Sequence, residues 1–164
     1  MKFRYTSADV LRGVLIYSAG DTVASLIQSC FSPWRLLGMM LIGGTVYAFE
    51  IPNWFRWIDI RTSELSGKRA ALARTGLAIL YFNPFWIARH LLFISLISGD
   101  ISNVGWGLFR LGAVSFIVNA PIAFAANYLI QNRVPLRFRF AASAAFSSLM
   151  AVYYALSATL FRGW

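Results

Sequence analysis

The chain has 164 residues, 59% of them hydrophobic and only 13% charged, with a mean hydropathy of +0.62 and a formal net charge of +9. An ordinary soluble domain carries about 25% charge and about 45–50% apolar residues, and one of this length has too little interior to hide 14 Phe, 7 Tyr and 6 Trp. The composition excludes such a domain and points to an all-α integral membrane protein, a polytopic helical bundle in which lipid solvates the apolar side chains. The positive charge does not mark a nucleic-acid binder: the basic residues lie in short stretches between apolar runs, with no basic amphipathic face and no aromatic–basic repeat. One cysteine, Cys30, and one histidine, His90, cannot make an internal disulfide or a His/Cys zinc site. No metal and no cofactor are expected.

A spanning helix needs roughly 20 mostly apolar residues, and five stretches meet that need. The first, 13–31, is the weakest, because Asp21 and Gln28 interrupt it; four spans remain if it does not cross. Ser32 and Pro33 link it to the second, 36–58, which holds Glu50 and Pro52 and is thinned by Gly38, Gly43 and Gly44. The longest polar stretch, 59–74, reads as a connection. The third span, 76–98, carries Asn83, Pro84, Arg89 and His90, and Gly99 and Asp100 open the next connection. The fourth, 108–130, carries Asn119 and Pro121. Residues 131–137 form a connection with Pro135 as a helix stop, and the fifth span is 138–161. No linker, tandem repeat or soluble segment divides the chain, so 1–164 reads as one membrane domain. The N-terminal stretch is basic, but Arg12 and Asp21 interrupt it and no small-residue cleavage site follows, so it is expected to stay on the chain.

With five crossings, eleven of the fifteen basic residues fall on one side and three on the other, and Arg89 lies within a span. That bias places the N-terminus on the cytoplasmic or matrix side of a bacterial cytoplasmic membrane or a mitochondrial inner membrane. It also predicts contact with anionic lipid on the basic side.

Charges inside spans cost about 2.5–3.5 kcal/mol each on insertion scales, which makes them functional candidates. Asp21, Glu50 and Arg89 sit near mid-span, and His90 follows Arg89. Arg89 is expected to face inward and to pair with Asp21 or Glu50. Such a pair would line a solute path near the bilayer midplane or would fix helix register with no solute involved. His90 would be a proton relay or a hydrogen-bonded core residue. Pro52, Pro84 and Pro121 each remove a backbone donor, so kinks are expected there, either as gates or as packing features. Asn83 and Asn119 stand next to two of these breaks and could line the path. Small residues at Ser147, Ala151, Ala155 and Thr159 recur every fourth position and permit close helix contact, within the chain or between copies. Trp34, Trp54, Trp57, Trp106 and Trp164 fall near segment ends, as an interfacial belt requires, while Trp86 lies deeper. No enzyme motif is present, and no catalytic residue is expected.

Read end to end, these motifs resemble the Mpv-seventeen family of small mitochondrial and peroxisomal membrane proteins. Gly20 and Asp21 with Gln28 downstream resemble its Gly-Asp followed by Gln. Trp54, Phe55, Arg56, Trp57, Ile58 and Asp59 resemble its Trp-Tyr-x-x-Leu-Asp. Pro84 and Gly99 stand at the spacing of its third segment, and Pro121 with Asn127 and Tyr128 resembles its Pro-x5-Asn-Phe. Val134, Pro135, Leu136, Arg137, Phe138 and Arg139 resemble its Val-Pro-x-x-Tyr-Arg, and Leu156 and Ser157 its closing Leu-Ser. Ala48 and Phe49 replace a Gly-Pro of the family, and Ala78 and Ile79 replace an Asp-Gln. The resemblance implies a channel-like pore or solute transporter. A second likeness is to the bacterial L-alanine exporter family. Ala8 and Asp9 before an apolar run to Tyr17, Pro52 before an aromatic–basic stretch, and Asn127 and Tyr128 before Arg133 carry it, and it implies a small amino-acid exporter. The expected function is thus a channel or carrier for small solutes. The alternative is a non-transporting accessory subunit, packed against a membrane-protein partner or a second copy.

Overall fold

The computed structural model describes residues 2–160, without the side chains of residues 103 and 154–160. Phe161, Arg162 and Trp164 lie outside the described residues, as do the side chains of Ala155, Leu156, Ser157 and Thr159. All secondary structure among the described residues is helical.

Helix α1 runs Ser7–Ile27, starting before the apolar run that predicted it. The reason is a cap: Asp9 N–H donates to Thr6 Oγ1 at 3.2 Å, and the Thr6 hydroxyl donates to the Asp9 carboxylate at 2.7 Å. Helix α2, Pro33–Ile42, opens on Pro33 in its first turn and passes through a π-helical segment, Gly43–Tyr47, into α3, Ala48–Arg61. The helix continues through Pro52, which stands inside α3. Helix α4 is Gly67–Tyr81 and α5 is Pro84–Ile97. A short 3₁₀ turn, Ile101–Asn103, leads to α6, Trp106–Arg133, which runs through Pro121; α7 is Leu136–Leu160.

Two expected connections shrink. The polar stretch 59–74 is helical at both ends, and only residues 62–66 connect α3 to α4. Lys68, Arg69, Ala70, Ala71, Leu72 and Ala73 are strong helix formers, so polarity there signalled an exposed helical turn rather than a loop. Likewise 131–137 narrows to Val134 and Pro135. The predicted third span is not one helix, because it breaks at Phe82 and Asn83.

Among the described residues, three stretches are long and apolar enough to cross a membrane: Ser7–Ile27, Gly67–Ile97 taken through its break, and Trp106–Arg133. The first, weakest by composition, is among them.

The chain divides into two compact units, with the boundaries inside α3 and α7. One unit, residues 2–53 and 140–160, is built on α1 packed along α2 and the π-helical segment. A Cβ built on Gly13 would overlap the Gly43 carbonyl, and one on Gly43 would overlap that of Gly13. The two backbones cross where neither has a side chain, which is the small-residue contact that membrane helices favour. Tyr17 and Tyr47 seal the crossing with ring centroids 4.7 Å apart. Arg4 N–H donates to Asn53 Oδ1 at 2.9 Å, and Asn53 Nδ2 donates back to Arg4 O at 2.8 Å.

The other unit, residues 54–139, places α4 and α5 against α6. A Cβ built on Gly112, early in α6, would meet the Pro84 carbonyl and Ala88 of α5. Asn132, late in α6, donates to Ala71 O and Thr75 Oγ1 of α4, each at 3.3 Å. Helices α4 and α5 therefore follow one another along an antiparallel α6 and act as one interrupted span.

Candidate functional site

The interruption is built by local chemistry. Pro84 cannot donate a backbone hydrogen bond and disfavours helix at the residue before it, so α4 ends and Asn83 turns extended, with φ −75° and ψ 176°. The Asn83 side chain then joins the two ends. Its Nδ2 donates to Leu80 O at 2.9 Å, and its Oδ1 accepts Trp86 N–H at 3.1 Å. One amide thus satisfies a carbonyl left over at the end of α4 and an N–H left over at the start of α5. In a span with little access to water, that pairing makes the break tolerable.

Around the break lies an aromatic cluster. Trp54 stacks on Trp57 at 4.6 Å and donates its indole N–H to Leu77 O at 3.0 Å. Tyr81, Phe82 and Trp86 pack edge to face or tilted against one another. The His90 ring lies parallel to Trp86, 5.7 Å between centroids. Two open, mostly apolar grooves of about 440 and about 350 Å³ border this region. Trp54, Tyr81, Asn83 and Trp86 line the larger, Leu92, Trp106 and Phe109 the smaller, and Arg89 lines both. The Arg89 guanidinium lies 5.9 Å from the Phe93 ring centroid. A cation thus stands one and a half turns past the start of α5, whose N-terminal end carries partial positive charge.

Of the residues expected to form a site, the structure brings together Asn83, Pro84, Arg89 and His90. Asn83 is a cap that shapes the groove. His90 is a stacking partner of Trp86. Asn119 folds its amide onto its own helix, donating to Ser115 O at 2.7 Å, and Pro121 is exposed on α6. Asp21, Glu50 and Pro52 belong to the other unit.

The expected pairing of Arg89 with Asp21 is replaced. Asp21 is held by Arg35: Nε donates to Oδ2 at 2.8 Å and an Nη to Oδ1 at 2.7 Å, with both side chains largely buried. Helices α1 and α2 form a hairpin, and the long Arg35 side chain from the first turn of α2 spans it, so the nearest cation takes the acid. The hydrogen bond to Asp21 raises the Arg35 pKa above its ordinary value against the opposing effect of burial.

Sequence reasoning named Asn127 only as part of a motif and left both Asn127 and Gln131 out of the candidate site. Their signal was legible, two amides four residues apart in an apolar helix, but Gln131 was assigned to a connection. A further missed ion pair joins Arg139 to Asp59 at 2.6 Å. Compared with known proteins, the chain matches no family model, no curated protein and no solved structure.

Proposed function

We propose that the protein is a membrane channel or carrier for small anionic solutes, with Arg89 as the charge that reads them. The observation that carries this reading is the break at Phe82 and Asn83 near the middle of the apolar stretch Gly67–Ile97, with Asn83 and Arg89 lining one groove. Interrupted spans in transporters place half-helix N-termini toward anionic groups, and α5 starts at such a break. Arg89 adds a full charge, and its planar fork suits carboxylate or phosphate oxygens. The resemblance to the Mpv-seventeen family supports transport in general, without naming the solute.

The test is flux into vesicles reconstituted with the purified protein, using chloride, acetate and phosphate as probes. Wild type is expected to pass at least one of them. Arg89→Gln is expected to reduce that flux at least tenfold while keeping its helical content, and Arg89→Lys to retain part of it. Wild-type vesicles impermeable to all three, or flux indifferent to Arg89→Gln, would refute the reading. Stoichiometric recovery of a membrane-protein partner from native membranes, together with absent flux, would establish the accessory-subunit alternative.

A further inference from the structure

A second feature of α6 lies about 22 Å along the helix from Gly112, counted at 1.5 Å per residue. Asn127 and Gln131 stand one turn apart on one face. Gln131 is fully buried and Asn127 is 4% exposed. Asn127 Nδ2 donates to Ala123 O at 2.9 Å. Its Oδ1, and both Oε1 and Nε2 of Gln131, make no hydrogen bond among the described residues. The neighbouring Asn132 does find partners, across on α4 and at Tyr128 O. The gap is therefore specific to the face that bears Asn127 and Gln131.

Buried polar groups are almost always satisfied, and one that is not loses its hydration with nothing in return. Two oxygens and one NH₂ group thus await a partner on one buried strip. We propose that Asn127 and Gln131 form an internal binding site for a small uncharged molecule that both donates and accepts hydrogen bonds. The inventory sets this class. A carboxylate or a fully ionised phosphate monoester could accept from Nε2 but has no proton for Oδ1 or Oε1. A metal ion or an ammonium could sit on the oxygens but would leave Nε2 unmet. Water, a urea or a primary amide, each with at least two donor hydrogens and an acceptor oxygen, meets all three. The site is independent of the Arg89 groove and stands or falls separately.

The experiment uses the full-length protein in lipid nanodiscs. Hydroxyl-radical labelling by X-ray radiolysis marks buried side chains beside bound water, and Ile130, 6% exposed, is the reporter. Thermal unfolding is measured with and without propionamide and urea. The variants are Gln131→Met and Asn127→Leu, close in shape and unable to hydrogen-bond. If water fills the site, Ile130 labels in wild type and loses labelling in both variants. If a solute of the same chemistry fills it, propionamide or urea raises the wild-type midpoint relative to Gln131→Met, by on the order of 3 °C. No Ile130 labelling in wild type together with no probe response overturns the proposal. A Gln131→Met protein that unfolds at a higher temperature than wild type and ignores both probes overturns it as well, because the amide was then buried dry.

Discussion

The Asp21–Arg35 pair shows how much rests on single side chains. Both carboxylate oxygens accept from one guanidinium, at 2.7 and 2.8 Å, in a largely buried setting. Removing one partner of a buried pair strands the other charge, which costs about 3–5 kcal/mol. Asp21→Ala and Arg35→Ala are each expected to lower stability by about that amount in denaturant titrations of the purified protein. The double variant should be less destabilised than the sum, and strict additivity would show that the pair is not coupled. The sign with pH follows from the raised Arg35 pKa. A base whose pKa rises on folding contributes fully below its ordinary value and loses that contribution only above the raised one. No loss from the arginine side is expected between about pH 6 and 9. Asp21 was legible in the sequence as a charge needing a partner. Its partner was not, because pairing by similar depth favours Arg89, whereas a helical hairpin favours a residue just past the turn.

At the scale of elements, apolar run length located the helices, and their ends and breaks came from chemistry that hydropathy averages away. The Thr6 cap moved the start of α1 forward, the alanine-rich stretch after Gly67 turned a polar loop into helix, and Pro84 with Asn83 split a span. The crossing of α1 with the π-helical segment was visible only as a cluster of glycines. There, Gly13→Ala and Gly43→Ala place a methyl group on the opposing carbonyl, and neither backbone can yield alone. Each is expected to destabilise by about 3 kcal/mol, at the upper end of overpacking costs. Gly76, inside α4 with open space around its missing Cβ, supplies the contrast. Gly76→Ala is expected to stabilise by about 0.5–1 kcal/mol, since alanine restricts the unfolded chain and favours helix. Thermal denaturation of the three variants in one detergent checks the ordering, and a Gly13→Ala protein as stable as wild type would remove the crossing from the account.

At the scale of the whole chain, charge and hydropathy together give a testable topology. In the unit of residues 54–139, the ends of α3, α4 and α6 meet at one end, joined by Arg74 to Thr62, Asn132 to Ala71 and Arg139 to Asp59. Arg61, Lys68, Arg69, Arg133 and Arg137 cluster there and are exposed. The opposite end, between α5 and α6, carries Asp100 and no basic residue from 98 to 105. A span is oriented by such a difference, with the basic end retained inside. If Gly67–Ile97 and Trp106–Arg133 both cross, residues 62–66 and 98–105 lie on opposite faces. The exposed Cys30 is first replaced by serine. Single cysteines are then placed at Ser63 and Ser102, both exposed, and treated with a membrane-impermeant maleimide in sealed, inside-in vesicles. Ser102→Cys is expected to react from outside, and Ser63→Cys only after the vesicles are opened. Reaction of both from outside would mean that the interrupted span does not cross. The groove at Arg89 would then lie at a surface rather than within the bilayer, and the transport reading would lose its path.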